Sequence, residues 1–187
     1  VHPDVIGYLS FAKQDLFDFD PKSSSQSFAT PRSWTFVSEM VGASGFDSAD
    51  TLEQKAEIAG AIGEGMAIKF IEHRRIASKL PNPSEVIDGK IKKLDSKMSK
   101  EISAKYSLVV GVCYELNEMF RDNGIDDKFR KALNNVVRFS YDNFEPEMVV
   151  FLFKTIMKDY QIRFNVRTDL NKDLHKTFSE RYTKYIA

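Results

Sequence analysis

A chain of 187 residues with 27 basic and 27 acidic side chains, no net charge and 42% apolar residues can bury a core without a metal or a disulfide and is too apolar to be disordered throughout. The zero net charge argues against broad attraction to nucleic acid or to a membrane surface, and no run approaches the ~18 apolar residues that span a bilayer. A single cysteine, Cys113, cannot close an intrachain disulfide and points to a reducing compartment, the cytoplasm. The charge is unevenly spread: residues 1–50 carry 3 basic and 7 acidic groups, and residues 51–187 carry 24 and 20, which suggests different partners for the two parts.

Pro3 followed by Val5, Ile6, Leu9, Ala12 and Leu16 predicts a first helix of roughly three turns. Turn chemistry from Asp18 to Ala29, with Pro21 and a serine cluster, predicts a loop. At Thr30-Pro31 a capping residue meets a proline, which suits a helix start because the missing N–H would have no partner there. Trp34, Val37 and Val41 form the core stripe of that helix, with Phe36 and Met40 beside it, and Gly42 to Gly45 ends it.

Ser48 or Asp50 is the expected cap of the next segment, Thr51 to Leu80, read as one long helix or two joined between Gly60 and Gly65. Pro81 and Pro83 stop it, and a soft domain boundary falls there, giving parts 1–80 and 81–187. A short helix and a lysine-rich connector follow, then a long apolar helix from about Ser99 to Phe120 ended by Asn123-Gly124. Three further helical patterns cover Asp126 to Tyr141, Pro146 to Asp159 and Asn171 to Tyr185. Between the last two, Ile162, Phe164 and Val166 alternate, but one short extended piece has nothing to pair with, so the expected class is all-α, a helical bundle.

Most candidate sites have a plain structural reading. Gly60, Gly63 and Gly65 lack the lysine and the strand-turn-helix setting of a phosphate loop, and Ala56, Gly60, Gly63 and Ala67, on one helical face, are expected to form a small-residue packing strip or a kink. His2, His73 and His175 have no partners at metal-ligand spacing, so no metal is expected, and His73 is placed on a solvated face. Cys113, in an apolar run without basic neighbours, is expected to be a buried inert thiol. Lys90, Lys92, Lys93, Lys97, Lys100 and Lys105 form one basic region, and Arg163, Arg167, Lys172 and Lys176 another. Interleaved acids and the lack of aromatics in the first favour solvated helix faces over nucleic-acid contact.

Arg32 is different. It sits in the first turn of a helix, where the macrodipole is positive, and an anion nearby would resolve the conflict. On the residues alone, the simpler reading is an arginine turned to solvent or paired with Glu39.

The stretch FATPRSWTFVSEM, preceded by HPDVIGYLSF, resembles the lid subdomain of MoxR-type AAA+ ATPases, in which a helix, a loop and a Pro-Arg helix start occur in that order. IAGAIGEGMAIKFIEHRRI and FEPEMVVFLFKTIM are similar to the helical C-terminal part of a phage and bacterial branch of these enzymes. The resemblance covers residues 1–80 well and the rest less closely. It implies that Arg32 is the sensor-2 residue, reaching the γ-phosphate of ATP, with Thr30 and Pro31 building its helix start. It further implies Mg-ATP in a longer parent protein, an upstream nucleotide-binding domain, a hexameric ring, and a partner with a von Willebrand A-type domain.

Neither the G-x-x-x-x-G-K-[ST] spacing nor an apolar strand ending in Asp-Glu occurs in these 187 residues, so this chain alone is not expected to bind or hydrolyse ATP. The expectation is therefore a lid and extension from a chaperone-like remodelling ATPase. A free-standing helical interaction module is the alternative.

Overall fold

The computed structural model describes residues 1–22, 26–43, 46 and 51–186. Its secondary structure is helical, without a strand among those residues, so the protein is all-α. Contacts gather into two compact units, Val1–Lys79 with Glu101–Ser107, and Leu80–Lys100 with Leu108–Ala187.

In the first unit, α1 (Pro3–Phe11) begins at a proline, and the His2 ring nitrogen accepts the Asp4 N–H as a cap. It is shorter than its apolar spacing predicts. A separate 3-10 turn, Lys13–Leu16, follows Ala12, and Leu16 is exposed rather than in the core. The break reorients Asp15 so that its carbonyl accepts the Trp34 indole N–H at 2.9 Å and its carboxylate accepts the Tyr8 hydroxyl proton at 2.5 Å. Two tertiary hydrogen bonds at one residue outweigh the local periodicity.

Helix α2 spans Pro31–Gly42, as its cap and proline predict. Helices α3 (Leu52–Ile62) and α4 (Glu64–Ala77) are separated at Gly63. Thr51 caps α3 through the Gln54 N–H, while the caps expected at Ser48 or Asp50 lie outside the described residues. Val5, Tyr8, Trp34, Val37, Ile58, Ile62, Met66 and Phe70 form the core.

The second unit contains α5 (Pro83–Ile87), most of α6 (Ile102–Asn123), α7 (Asp127–Asn143) and α8 (Pro146–Lys154). A π-helical turn, Thr155–Asp159, extends α8, and α9 (Val166–Asp169), α10 (Lys172–Arg181) and α11 (Thr183–Ile186) complete the unit. Leu116, Phe129, Leu133, Val137, Leu152, Phe153 and Ile156 are its buried centre. The alternating piece forms no strand: Ile162 and Phe164 are buried around exposed Arg163. Period-two alternation thus plugs a helical core without pairing to a sheet.

Candidate functional site

Arg32 occupies the second position of α2, and the start of that helix is closed by its own sequence. Thr30 and Ser33 form a reciprocal capping box: Thr30 Oγ1 accepts the Ser33 N–H at 3.0 Å, and Ser33 Oγ accepts the Thr30 N–H at 2.8 Å. Pro31 has no N–H, and the Trp34 N–H donates to the Thr30 carbonyl at 3.0 Å. The first turn therefore presents outward the Arg32 guanidinium and little else.

Trp34 fixes this presentation. Its indole is 2% exposed, is tied to Asp15, and packs on Tyr8 and Phe70 with ring centroids 5.5 Å and 5.3 Å away. An aromatic anchor two residues after Arg32 holds the helix start in place. The Arg32 side chain is exposed, with its guanidinium carbon 5.8 Å from the Phe36 ring centroid. Among the described residues it makes no ion pair with Glu39, so of the two simpler readings the structure has the arginine turned to solvent.

Behind α2 lies a polar centre that the sequence reading missed. Tyr8, Asp15 and Lys69 form a chain in which the Lys69 ammonium stands 3.7 Å from the second Asp15 oxygen. Burial and the adjacent Asp15 carboxylate push the Tyr8 hydroxyl pKa well above the phenolic range. Arg74 donates to Asp4 at 2.8 Å and to the Phe46 carbonyl at 3.3 Å.

His73, expected on a solvated face, is 5% exposed. Its Nε2 shares a hydrogen bond with Ser107 Oγ at 2.7 Å, its ring meets Tyr8 edge-on at 5.3 Å, and its Nδ1 is buried without a hydrogen-bond partner. Burial depresses its pKa to about 4, against a smaller opposing effect of Asp4, so the ring is neutral at pH 7. Helix α4 buries this histidine because its core face is wide enough to include Phe70, His73 and Arg74. The long-range pairing with Ser107 leaves no periodic signal by which to find it.

Of the two readings of the glycine segment, the structure has the break. Gly63 has φ +87°, and a Cβ there would lie 2.9 Å from the Ser27 carbonyl oxygen, so it is a helix break pressed against the loop. Gly60 and Gly65 have nothing within 4 Å of an added Cβ, so they pack against no helix.

Cys113 is fully buried, and its thiol pKa is raised by desolvation, as expected of an inert thiol. Lys105 is 1% exposed and so is no part of a basic surface. Among the described residues, no three or more of His, Cys, Asp and Glu converge as metal ligands, and no helix is long and apolar enough to cross a membrane.

No family model, curated protein or solved structure matches the chain.

Proposed function

We propose that this chain is the helical lid and extension of a MoxR-type AAA+ ATPase, in which Arg32 contacts a terminal phosphate of ATP. One observation carries the reading: a guanidinium without a carboxylate partner is held outward at a capped helix start and anchored by a buried tryptophan two residues later. A long cationic side chain on a fixed base suits a phosphate brought by another domain, because little side-chain freedom beyond its own rotamers is lost on contact. The phosphates and Mg²⁺ would be gripped chiefly by a nucleotide-binding domain outside these residues. In this reading the lid shifts as a body between nucleotide states and the ring is a homohexamer. Residues 81–187 form the surface for a partner with a von Willebrand A-type domain.

The test uses the full-length protein. Arg32→Ala should lower ATP turnover by an amount near that of one lost charge-assisted contact in the transition state, about 2–4 kcal/mol or about 30- to 1,000-fold. Arg32→Lys should recover only part of it, because an ammonium cannot bind phosphate in the bidentate mode. Turnover unchanged by Arg32→Ala, or a reading frame without a P-loop, would overturn the assignment.

A further inference from the structure

The acidic-aromatic stretch DLFDFDP builds a second feature of the first unit, separate from Arg32. Phe17, Phe19 and Phe28 are 60%, 52% and 37% exposed, a row of aromatic rings that a soluble surface seldom leaves uncovered. Phe17 and Phe19 have centroids 6.5 Å apart, and Phe19 and Phe28 are 4.8 Å apart. The row has a fixed base: the Asp18 N–H donates to the Ala29 carbonyl at 3.0 Å, and Ser27 Oγ donates to the Ala59 carbonyl at 3.1 Å.

Between this loop and the joint of α3 and α4 lies a cleft of about 530 Å³. Phe19 and Phe28 line its aromatic side, and Asp18, Asp20 and Glu64 supply three carboxylates. Lys69 is the cation of the lining, and Asp15 stands 3.7 Å from it to balance its charge. Asp20 uses one oxygen to accept the Lys22 N–H at 2.9 Å, which fixes the carboxylate and leaves its other oxygen for a ligand. At Gly65 an added side chain would meet nothing within 4 Å, so the mouth is open there.

Aromatic faces beside carboxylates are complementary to one chemistry above others, a guanidinium on an apolar stem. Such a group stacks on the rings while its N–H groups donate to the acids. We infer that this cleft seats an arginine side chain from a basic, apolar segment of a partner protein, with neighbouring apolar residues of the segment covering Phe17 and Phe19. The three carboxylates of the lining against the ammonium of Lys69 give such a partner an attractive approach. This surface is independent of the ATPase reading, since Arg32 takes no part in it.

The probe is a fluorescein-labelled dodecapeptide of alternating arginine and leucine, titrated with the full chain and followed by fluorescence anisotropy beside a glutamate-leucine twin. The expected result is saturable one-to-one binding of the basic peptide alone, weakening as salt rises. Asp18→Asn with Asp20→Asn, and separately Phe19→Ala with Phe28→Ala, should each reduce affinity at least tenfold. Arg32→Ala should leave it unchanged. Glu64→Gln, on a different element, provides a third reading that does not depend on the loop, and Trp34 fluorescence and thermal melting confirm folding of each variant. Absence of saturable binding, equal binding of the acidic twin, or affinity indifferent to all three changes would overturn the proposal. Concentration-dependent dimers in sedimentation that the same changes disperse would also overturn it, by giving the face to a second copy of this chain.

Discussion

In the first unit, ion pairs and hydrogen bonds run through an aromatic core: Tyr8 to Asp15, Asp15 to Trp34, His73 to Ser107 and Arg74 to Asp4. The second unit buries mainly carbon at its centre, around Leu133, Leu152, Phe153 and Ile156. Its polar ties lie along α7: Arg130 donates to Asp169 at 2.9 Å and Asn134 to the Asp169 carbonyl at 2.8 Å, while Asn135 donates to the Ile87 carbonyl and Asn143 to the Lys92 carbonyl, both at 2.9 Å. Directional bonds among buried groups specify one geometry and are costly when one partner is lost. Apolar packing tolerates exchange at constant volume. The unit carrying Arg32 is thus the one built for a fixed geometry.

Substitution at the two cores tests this contrast most severely. Trp34→Ala should cost about 3–5 kcal/mol in urea denaturation, as removal of a buried aromatic does. Leu152→Ala should cost a comparable amount, about 2–5 kcal/mol. Conservative changes separate the units: Trp34→Phe strands the Asp15 carbonyl and adds about 1–3 kcal/mol to its packing loss, whereas Leu152→Met, which nearly conserves volume, should stay under about 1.5 kcal/mol. Equal penalties for the two conservative changes would dissolve the distinction between the units.

How much of this was visible beforehand follows the same division. Helix starts and stops written in local chemistry were legible, as at Thr30-Pro31 for α2 and Asn123-Gly124 for α6. The apolar stripe of α2 is legible as well, since periodicity records which face is buried. The polar centre was not. His73 pairs with a residue 34 positions away, a distance without a periodic signature, and Tyr8 meets Asp15 only across the break after Ala12. For the same reason the sequence alone puts His73 in solvent and carries α1 through to Leu16, past the turn that Asp15 imposes. Arg32 was legible as an electrostatic oddity, while its stacking over Phe36 and its anchoring through Trp34 needed the fold. The aromatic row lies among turn residues, and turn residues in a sequence do not show what they leave uncovered.

Two glycines sharpen the comparison at the level of the backbone. Gly63 of the first unit and Gly124 of the second both have positive φ, +87° and +67°. Gly63 pairs that φ with ψ 150°, a region that is essentially glycine-only, and a Cβ would press on the Ser27 carbonyl oxygen. An added Cβ at Gly124 would meet nothing within 4 Å. Gly63→Ala should therefore cost about 2–4 kcal/mol from strain and crowding together. Gly124→Ala should cost only about 1–2 kcal/mol, the left-handed penalty alone. Matching melting temperatures for the two variants would show that the loop at Ser27 yields freely and does not lock the α3–α4 joint.

Acid provides the mildest test of the first unit's polar centre. His73 is buried with its pKa depressed to about 4. A folded-state pKa below the unfolded value of about 6.5 means that the unfolded chain binds the proton more tightly. The neutral ring's contribution is therefore complete above pH 6.5, declines as pH falls toward 4, and changes no further below that. The loss amounts to no more than about 3 kcal/mol. His2, also depressed chiefly by burial, adds to it with the same sign. The chain's 1 tryptophan is Trp34, in the first unit, so its fluorescence follows that unit alone. Urea midpoints read by Trp34 fluorescence should fall between pH 6.5 and 4, and His73→Gln should flatten most of that slope while lowering stability at pH 7. If the variant keeps the full acid slope, the proton is taken up elsewhere, and the buried polar centre is not what makes the first unit sensitive to acid.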